Sequence, residues 1–187
     1  DIRHADNTLH LYKKFRKTGA GDRASRIFAF GHREFDPGRR EVQVDRIFDD
    51  LANFLPGFVQ KVMQKQAALP PPVMPQGPFP VARQIELSHE VMRVFGFPFD
   101  RGRLDTAHHP FSGGADGDIR ITTRYDEGDF MKSLMAVIHE TGHALYEDGR
   151  PARWVGQPVG HCRGMTLHES QSLLLEMQAA RSEGFIR

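Results

Sequence analysis

The 187-residue chain sets 25 Lys and Arg against 24 Asp and Glu, a formal net charge of +1, with charged residues at 26% of the whole. Signs are interspersed and no basic run interleaves with aromatics, which excludes the electrostatic footprint of a nucleic-acid or anionic-membrane binder. The longest near-continuous apolar run, around Leu134 to Ile138, is far too short to span a bilayer, and 187 residues suffice for one sizeable core with no reason to invoke two domains.

In chain order, Thr8 to Lys17 and Asp22 to Phe35 read as helices separated by Gly19-Ala20-Gly21. Val44, Ile47, Phe48, Leu51, Phe54, Leu55, Phe58, Val59 and Val62 recur at helical spacing and predict an amphipathic helix. Pro56-Gly57 interrupts that pattern, so a kink or two shorter helices are expected. Leu69 to Pro80 holds six of the twelve prolines and is a loop leading into a helix from about Val81 to Phe95, closed by Gly96. His4, His10, His32 and His89 read as surface or core residues rather than ligands.

Pro110 favours extended backbone at His109, which suits a loop aimed at a cleft. His109 is thus a candidate contact to a substrate carbonyl, with a buried structural histidine as the alternative. Gly113-Gly114-Ala115-Asp116-Gly117 lacks the lysine and helix of a phosphate loop and reads as a flexible turn. Ile119 to Tyr125 alternates apolar and polar residues, the period of a half-buried strand. That strand either pairs with a substrate backbone beside the next helix or forms a short structural hairpin. Asp118 and Arg120 either position substrate or brace the loop.

Next comes Val137-Ile138-His139-Glu140-Thr141-Gly142-His143, inside a helix running from Phe130 to Leu145. Asp126 to Asp129 supplies N-cap candidates and Gly149 the stop. At 3.6 residues per turn, His139 and His143 share one face and can reach a single metal ion. Glu140 points roughly a quarter-turn away, where it can hold a water as a general base, the arrangement of a zinc peptidase. The helix is apolar enough to be buried on most sides, and a metal would satisfy polar groups that are otherwise costly there; the alternative is a core helix whose histidines hydrogen-bond to neighbours.

A second helical run opens at Leu167-His168-Glu169-Ser170 and continues through Leu173 to Ala180. It suits an antiparallel return past the loop at 149–166, with Glu169 as the third ligand. A His₂Glu set leaves one zinc position open, as catalytic sites require. His168 is the rival ligand, and adjacent helical residues point about 100° apart, so only one of the two faces the metal. Cys162 has no partner for an internal disulfide, which points to a cytoplasmic location; it is a free thiol or a ligand beside His161.

Four motifs in order, His109-Pro110-Phe111, Asp118-Ile119-Arg120-Ile121-Thr122, the His139–His143 box and His168-Glu169-Ser170-Gln171, carry a family resemblance. The segments Thr123 to Glu127 and Ala144 to Glu147 add to it. The chain resembles the thermostable carboxypeptidase Taq family, the M32 metallocarboxypeptidases, most densely from about Gly77 to Arg181. The resemblance implies a mainly α fold, a helical zinc-peptidase core with a short strand or hairpin beside the active-site helix. It also implies a broad-specificity carboxypeptidase acting on peptide C-termini through a metal-activated water. His139, His143 and Glu169 would bind one divalent metal, zinc first and cobalt as the alternative, with Glu140 as the base. A homodimer is implied too.

Members of that family are well over twice this length, so the chain is expected to be an internal fragment. Their substrate-carboxylate arginine, in an Ile-Arg-x-x-Ala-Asp motif, and a tyrosine serving the tetrahedral intermediate fall beyond Phe185-Ile186-Arg187. His161-Cys162-Arg163-Gly164 departs from the family's usual approach to the His-Glu-Ser segment. A related oligopeptidase or dipeptidase, and a metal-binding fragment without turnover, are the alternative readings.

Overall fold

The computed structural model describes residues 41–71 and 73–187, and the two helices expected before residue 40 lie outside the described residues. The chain divides into two compact units, Asp1–Met74 and Pro75–Arg187.

In the first unit, α1 (Glu41–Ala67) is one helix of 27 residues with Pro56 inside it. Two shorter helices were the alternative expected at Pro56-Gly57, and the helix is instead continuous. Proline removes one backbone donor, a loss that water can offset along a solvated helix. The apolar stripe is narrower than the periodicity predicts. Val44 is buried and Phe48, Leu55, Val59 and Val62 are half-covered, while Ile47, Leu51, Phe54 and Phe58 stand exposed. Phe54 and Phe58, one turn apart, stack at 5.3 Å between centroids.

The second unit is built around one helix. α2 (Val81–Val94) precedes a three-stranded sheet of β1 (Gly102–Thr106), β2 (Phe111–Ala115) and β3 (Asp118–Thr123). α3 (Phe130–Asp148) follows, then two 3-10 turns at Ala152–Trp154 and Pro158–Gly160, then α4 (Met165–Leu173). α4 runs into a π-helical segment at Leu174–Ala179, and α5 (Glu183–Ile186) closes the chain. α2 stops as expected: Phe95 caps it and Gly96 takes a φ of +86°, a left-handed conformation suited to glycine.

Polar ties lock α2 to the start of α3. Buried Gln84 donates from its amide to the Phe79 carbonyl at 2.7 Å and the Asp126 carbonyl at 2.9 Å. Its own carbonyl oxygen accepts from Ser133 Oγ at 2.8 Å. Every polar atom of this buried amide is therefore used, the condition under which such a group adds specificity rather than cost.

β3 is the centre of the sheet, parallel to β1 and antiparallel to β2. Its alternation is read correctly from sequence: Ile119, Ile121 and Thr123 are buried, and Asp118, Arg120 and Thr122 face the other way. Two expectations are corrected here. β3 cannot take an added substrate strand, because its backbone groups are paired on both sides. The glycine-rich run is a turn only at Asp116-Gly117, which joins β2 to β3; Gly113, Gly114 and Ala115 belong to β2 and pair with Arg120, Ile119 and Asp118. Gly114 has a φ of +142° and approaches the Asp118 carbonyl too closely for any Cβ, so glycine there serves close strand packing.

The core forms on both flanks of α3. On one, Val137 and Ala144 pack with Met92, Phe97, Ile119 and Ile121. On the other, Leu134 and Ile138 pack with Ala180, backed by Phe95, Phe130 and Leu175. This double coverage explains why α3 is apolar on most of its circumference.

Candidate metal centre

α3 starts at the N-cap Asp129, whose carboxylate accepts the Lys132 N–H at 3.4 Å, and ends at the cap Gly149. Along it, His139 and His143 present their rings on one face, with centroids 4.9 Å apart. α4 runs antiparallel to it: His139 meets Glu176, Gly142 meets Ser172, and His143 meets Glu169 and His168. The helices approach closely because position 142 is glycine; a Cβ there would lie 2.5 Å from the Ser172 Cα.

The sequence singles out His139, His143 and Glu169, and the structure brings them together. One ligand atom from each lies within 4.8 Å of the others. His143 Nε2 is 3.2 Å from one Glu169 oxygen and His139 Nε2 is 3.7 Å from the other. Tetrahedral zinc with bonds of about 2.0–2.1 Å needs ligand atoms separated by roughly 3.4 Å. The donor set and its spacing thus fit a divalent cation. Glu169 is 44% exposed, so the cluster opens to solvent on that side.

Glu140 follows His139 and is buried. Burial pushes its carboxyl above the ordinary glutamate value; His139 draws it down and Glu169 raises it further. A carboxylate made more basic in this way suits proton acceptance. Burial holds the His143 imidazole below its usual value, and neighbouring His168 and His139 add to that. Both effects favour the neutral ring that a metal ligand must be.

Each ligand ring has an outer partner: Glu176, which the sequence reading did not name, for His139, and His168, which it named only as a rival ligand, for His143. His139 Nδ1 lies 3.0 Å from Glu176 Oε2, and Glu176 Oε1 accepts from Arg181 at 2.7 Å. Burial pushes Glu176 up, but the Arg181 and His139 hydrogen bonds outweigh it and leave the carboxyl low. His143 Nδ1 lies 2.6 Å from His168 Nδ1, and His168 Nε2 lies 2.8 Å from Glu147 Oε1. The signal was present in the spacing: Glu176 sits two turns beyond Glu169, and Glu147 one turn beyond His143. His168, the rival third ligand, has both ring nitrogens engaged in this way.

The candidate substrate contacts lie elsewhere. Arg120 donates to both Asp118 oxygens, at 2.7 and 2.8 Å, on the sheet face opposite the buried isoleucines. That geometry is the bracing alternative. His109 is exposed rather than buried, in the loop between β1 and β2, where its carbonyl accepts from Thr122 Oγ1 at 2.9 Å. Cys162 is a free, exposed thiol and belongs to no ligand cluster among the described residues. A cleft of about 630 Å³ opens beside His168, Glu147, Arg150 and Asp118, at the outer end of the His143 network rather than over the ligand atoms.

The profile of the carboxypeptidase Taq (M32) metallopeptidase family matches residues 4–187. Thermostable carboxypeptidase 1 of Thermus thermophilus and carboxypeptidase 1 of Bacillus subtilis are each 36% identical over 152 residues. Those matches cover 81% of this chain and 30% of each relative, so the chain spans under a third of their length. Among solved structures, Trypanosoma cruzi metallocarboxypeptidase 1 superposes with a TM-score of 0.80 at 39% identity, covering 97% of this chain and 38% of that one.

Proposed function

The chain belongs to the carboxypeptidase Taq (M32) metallopeptidase family, and from that membership we propose that it carries the metal centre of a broad-specificity carboxypeptidase. The substrates are peptides, and the bond cleaved is the C-terminal one. The observation that carries this reading is the convergence of two imidazoles and one carboxylate from α3 and α4 within 4.8 Å.

His139, His143 and Glu169 would hold the cation, zinc in the first instance and cobalt in the second. When bound, a divalent cation supplies Lewis acidity toward a carbonyl oxygen and acidifies water. Glu140, adjacent and raised in basicity by burial, takes the proton from the attacking water and returns it to the leaving amine nitrogen. The water oxygen becomes part of the new carboxylate, and the departing residue leaves with its amine restored. Glu176 and His168 keep the ligand rings in place. Asp118 and Arg120 brace β3, and His109 stands on an exposed loop, so none of the three is assigned a substrate contact.

We assign the protein to the cytoplasm, in keeping with its single exposed thiol, and to a homodimer as its assembly. No described helix is long and apolar enough to cross a membrane.

Metal binding without turnover is the second reading, favoured by the small share of each relative that the chain spans. Purified chain, loaded with zinc or cobalt, separates the two when assayed on a blocked dipeptide with a free C-terminus. Release of the single C-terminal residue supports the carboxypeptidase reading; stoichiometric metal without release supports the second. Absence of bound metal by elemental analysis would refute both, and internal cleavage of longer peptides would point to an oligopeptidase.

A further inference from the structure

We propose that the exposed apolar stripe of α1 is a self-association surface, on which α1 of a second copy of this chain packs antiparallel. The pairing rests on the homodimer assignment made above and names the face that forms it. α1 carries two apolar stripes. One, of Val44, Phe48, Leu55, Val59 and Val62, is buried or half-covered. The other consists of Ile47, Leu51, Phe54 and Phe58, each at least 40% exposed. Its steps of four, three and four residues keep it on one line along the helix, the seam that a partner helix fills. Phe54 and Phe58 stack on each other and give that line a broad apolar centre. A contiguous face of this kind is rare on a surface that stays in water.

Charge selects the occupant and its direction. The half of α1 before Phe54 holds Glu41, Asp45, Asp49 and Asp50 against one Arg46, and the half after it holds Lys61 and Lys65 and no acid. Asp50 and Lys61 lie about three turns apart and so flank the stripe on the same side. A parallel copy would set Asp50 beside Asp50 and Lys61 beside Lys61. An antiparallel copy sets acid beside base and opposes the helix dipoles. With the phenylalanine rings of both copies gathered at the twofold axis, Phe54 lies opposite Phe58 of the second copy, and Asp50 draws level with its Lys61. The methylene stems of Lys61 and Lys65 then cover Leu51 and Ile47 of the other helix. The same residues serve both copies. Four apolar side chains from each make a small interface, so the dimer is weak and concentration-dependent.

Sedimentation equilibrium of the 187-residue chain over a wide concentration range reads the association, and monomer and dimer in exchange are expected. Phe54→Asp should leave only monomer at the same concentrations, with circular dichroism reporting whether the chain stays folded. Lys61→Glu should weaken the dimer by about 5–30-fold, because the twofold axis doubles the change. Adding Asp50→Lys to Lys61→Glu in one chain should restore it, a rescue that mere loss of helix stability would not show. Should Phe54→Asp unfold, this charge exchange decides alone. Oxidative cross-linking in a Cys162→Ser background reads the direction. A mixture of Leu51→Cys and Lys61→Cys chains should join unlike chains, while Leu51→Cys alone should stay unjoined, its two copies lying about 15 Å apart. A chain that is monomeric at every concentration overturns this pairing and the homodimer assignment together. A dimer that survives Phe54→Asp or Lys61→Glu, a double variant no tighter than Lys61→Glu, or Leu51→Cys joined to its own copy leaves the homodimer standing and overturns the α1 pairing.

Discussion

Gly142 and Ser172 mark the place where α3 and α4 come nearest, and any side chain on Gly142 would push into the Ser172 backbone. The nearest obstructing atoms belong to the α4 main chain, which cannot turn aside as a flexible side chain could. Gly142→Ala should therefore part the helices, cost about 1–3 kcal/mol of stability, and draw Glu169 away from both imidazoles. Denaturant unfolding and zinc titration should both register the change. A Gly142→Ala chain with unaltered zinc affinity would show that the separation of the helices does not set the ligand geometry.

Glu140 and Glu169 are expected to fail differently. On the proposed carboxypeptidase reading, Glu140→Gln should leave metal content near normal while lowering hydrolysis in the full-length parent by about 10²–10⁴-fold, the worth of a general base. Glu169→Gln should lower metal occupancy itself. Equal metal loss in the two variants would mean that the roles are assigned wrongly, and elemental analysis of both proteins decides it.

Glu176 lies in the π-helical segment, two turns past Glu169, with one oxygen on His139 and the other on Arg181. Glu176→Ala should weaken zinc binding by about 10–100-fold, whereas Glu176→Gln, which keeps an acceptor, should lose less. Identical affinities for the two variants would remove Glu176 from the account of the site.

Asp129 caps α3, and the Lys132 ammonium, 3.0 Å from the second Asp129 oxygen, holds its carboxyl below the ordinary aspartate value. A depressed folded value means that the cap contributes above the unfolded pKa of about 3.9 and is lost as pH falls through the lower folded value. Because the side chain is 37% exposed and the capping bond from the Lys132 backbone N–H is long, Asp129→Ala should cost only about 0.5–1 kcal/mol at neutral pH. Thermal unfolding of both proteins at neutral and acid pH tests this. A stability gap of constant size across that range would show that the carboxylate charge plays no part.

The ligand trio was legible because its signal is local: two histidines one turn apart, then a helical run bearing a carboxylate. β3 was legible from its alternation. The order of the sheet was not, since nothing in Ile119 to Tyr125 states that neighbours lie on both sides. The glycines of β2 look like a turn because a close backbone approach and a flexible loop select the same residue. His168 shows the limit most clearly. Its position one residue before Glu169 settles that one of the pair turns away, and only the approach of α3 shows that His143 and Glu147 receive it.

α3 carries His139, Glu140, His143 and Glu147 on one rigid rod, and α4 with its continuation answers with His168, Glu169 and Glu176. Assembly of the whole centre thus reduces to the docking of two bodies along a single seam. A slip of one helical turn, about 5.4 Å, would misplace ligand, outer imidazole and outer carboxylate at once. The site is therefore expected to switch on or off as a unit, so that partial occupancy in a damaged protein reports a mixture of docked and undocked molecules, not a uniformly weakened centre.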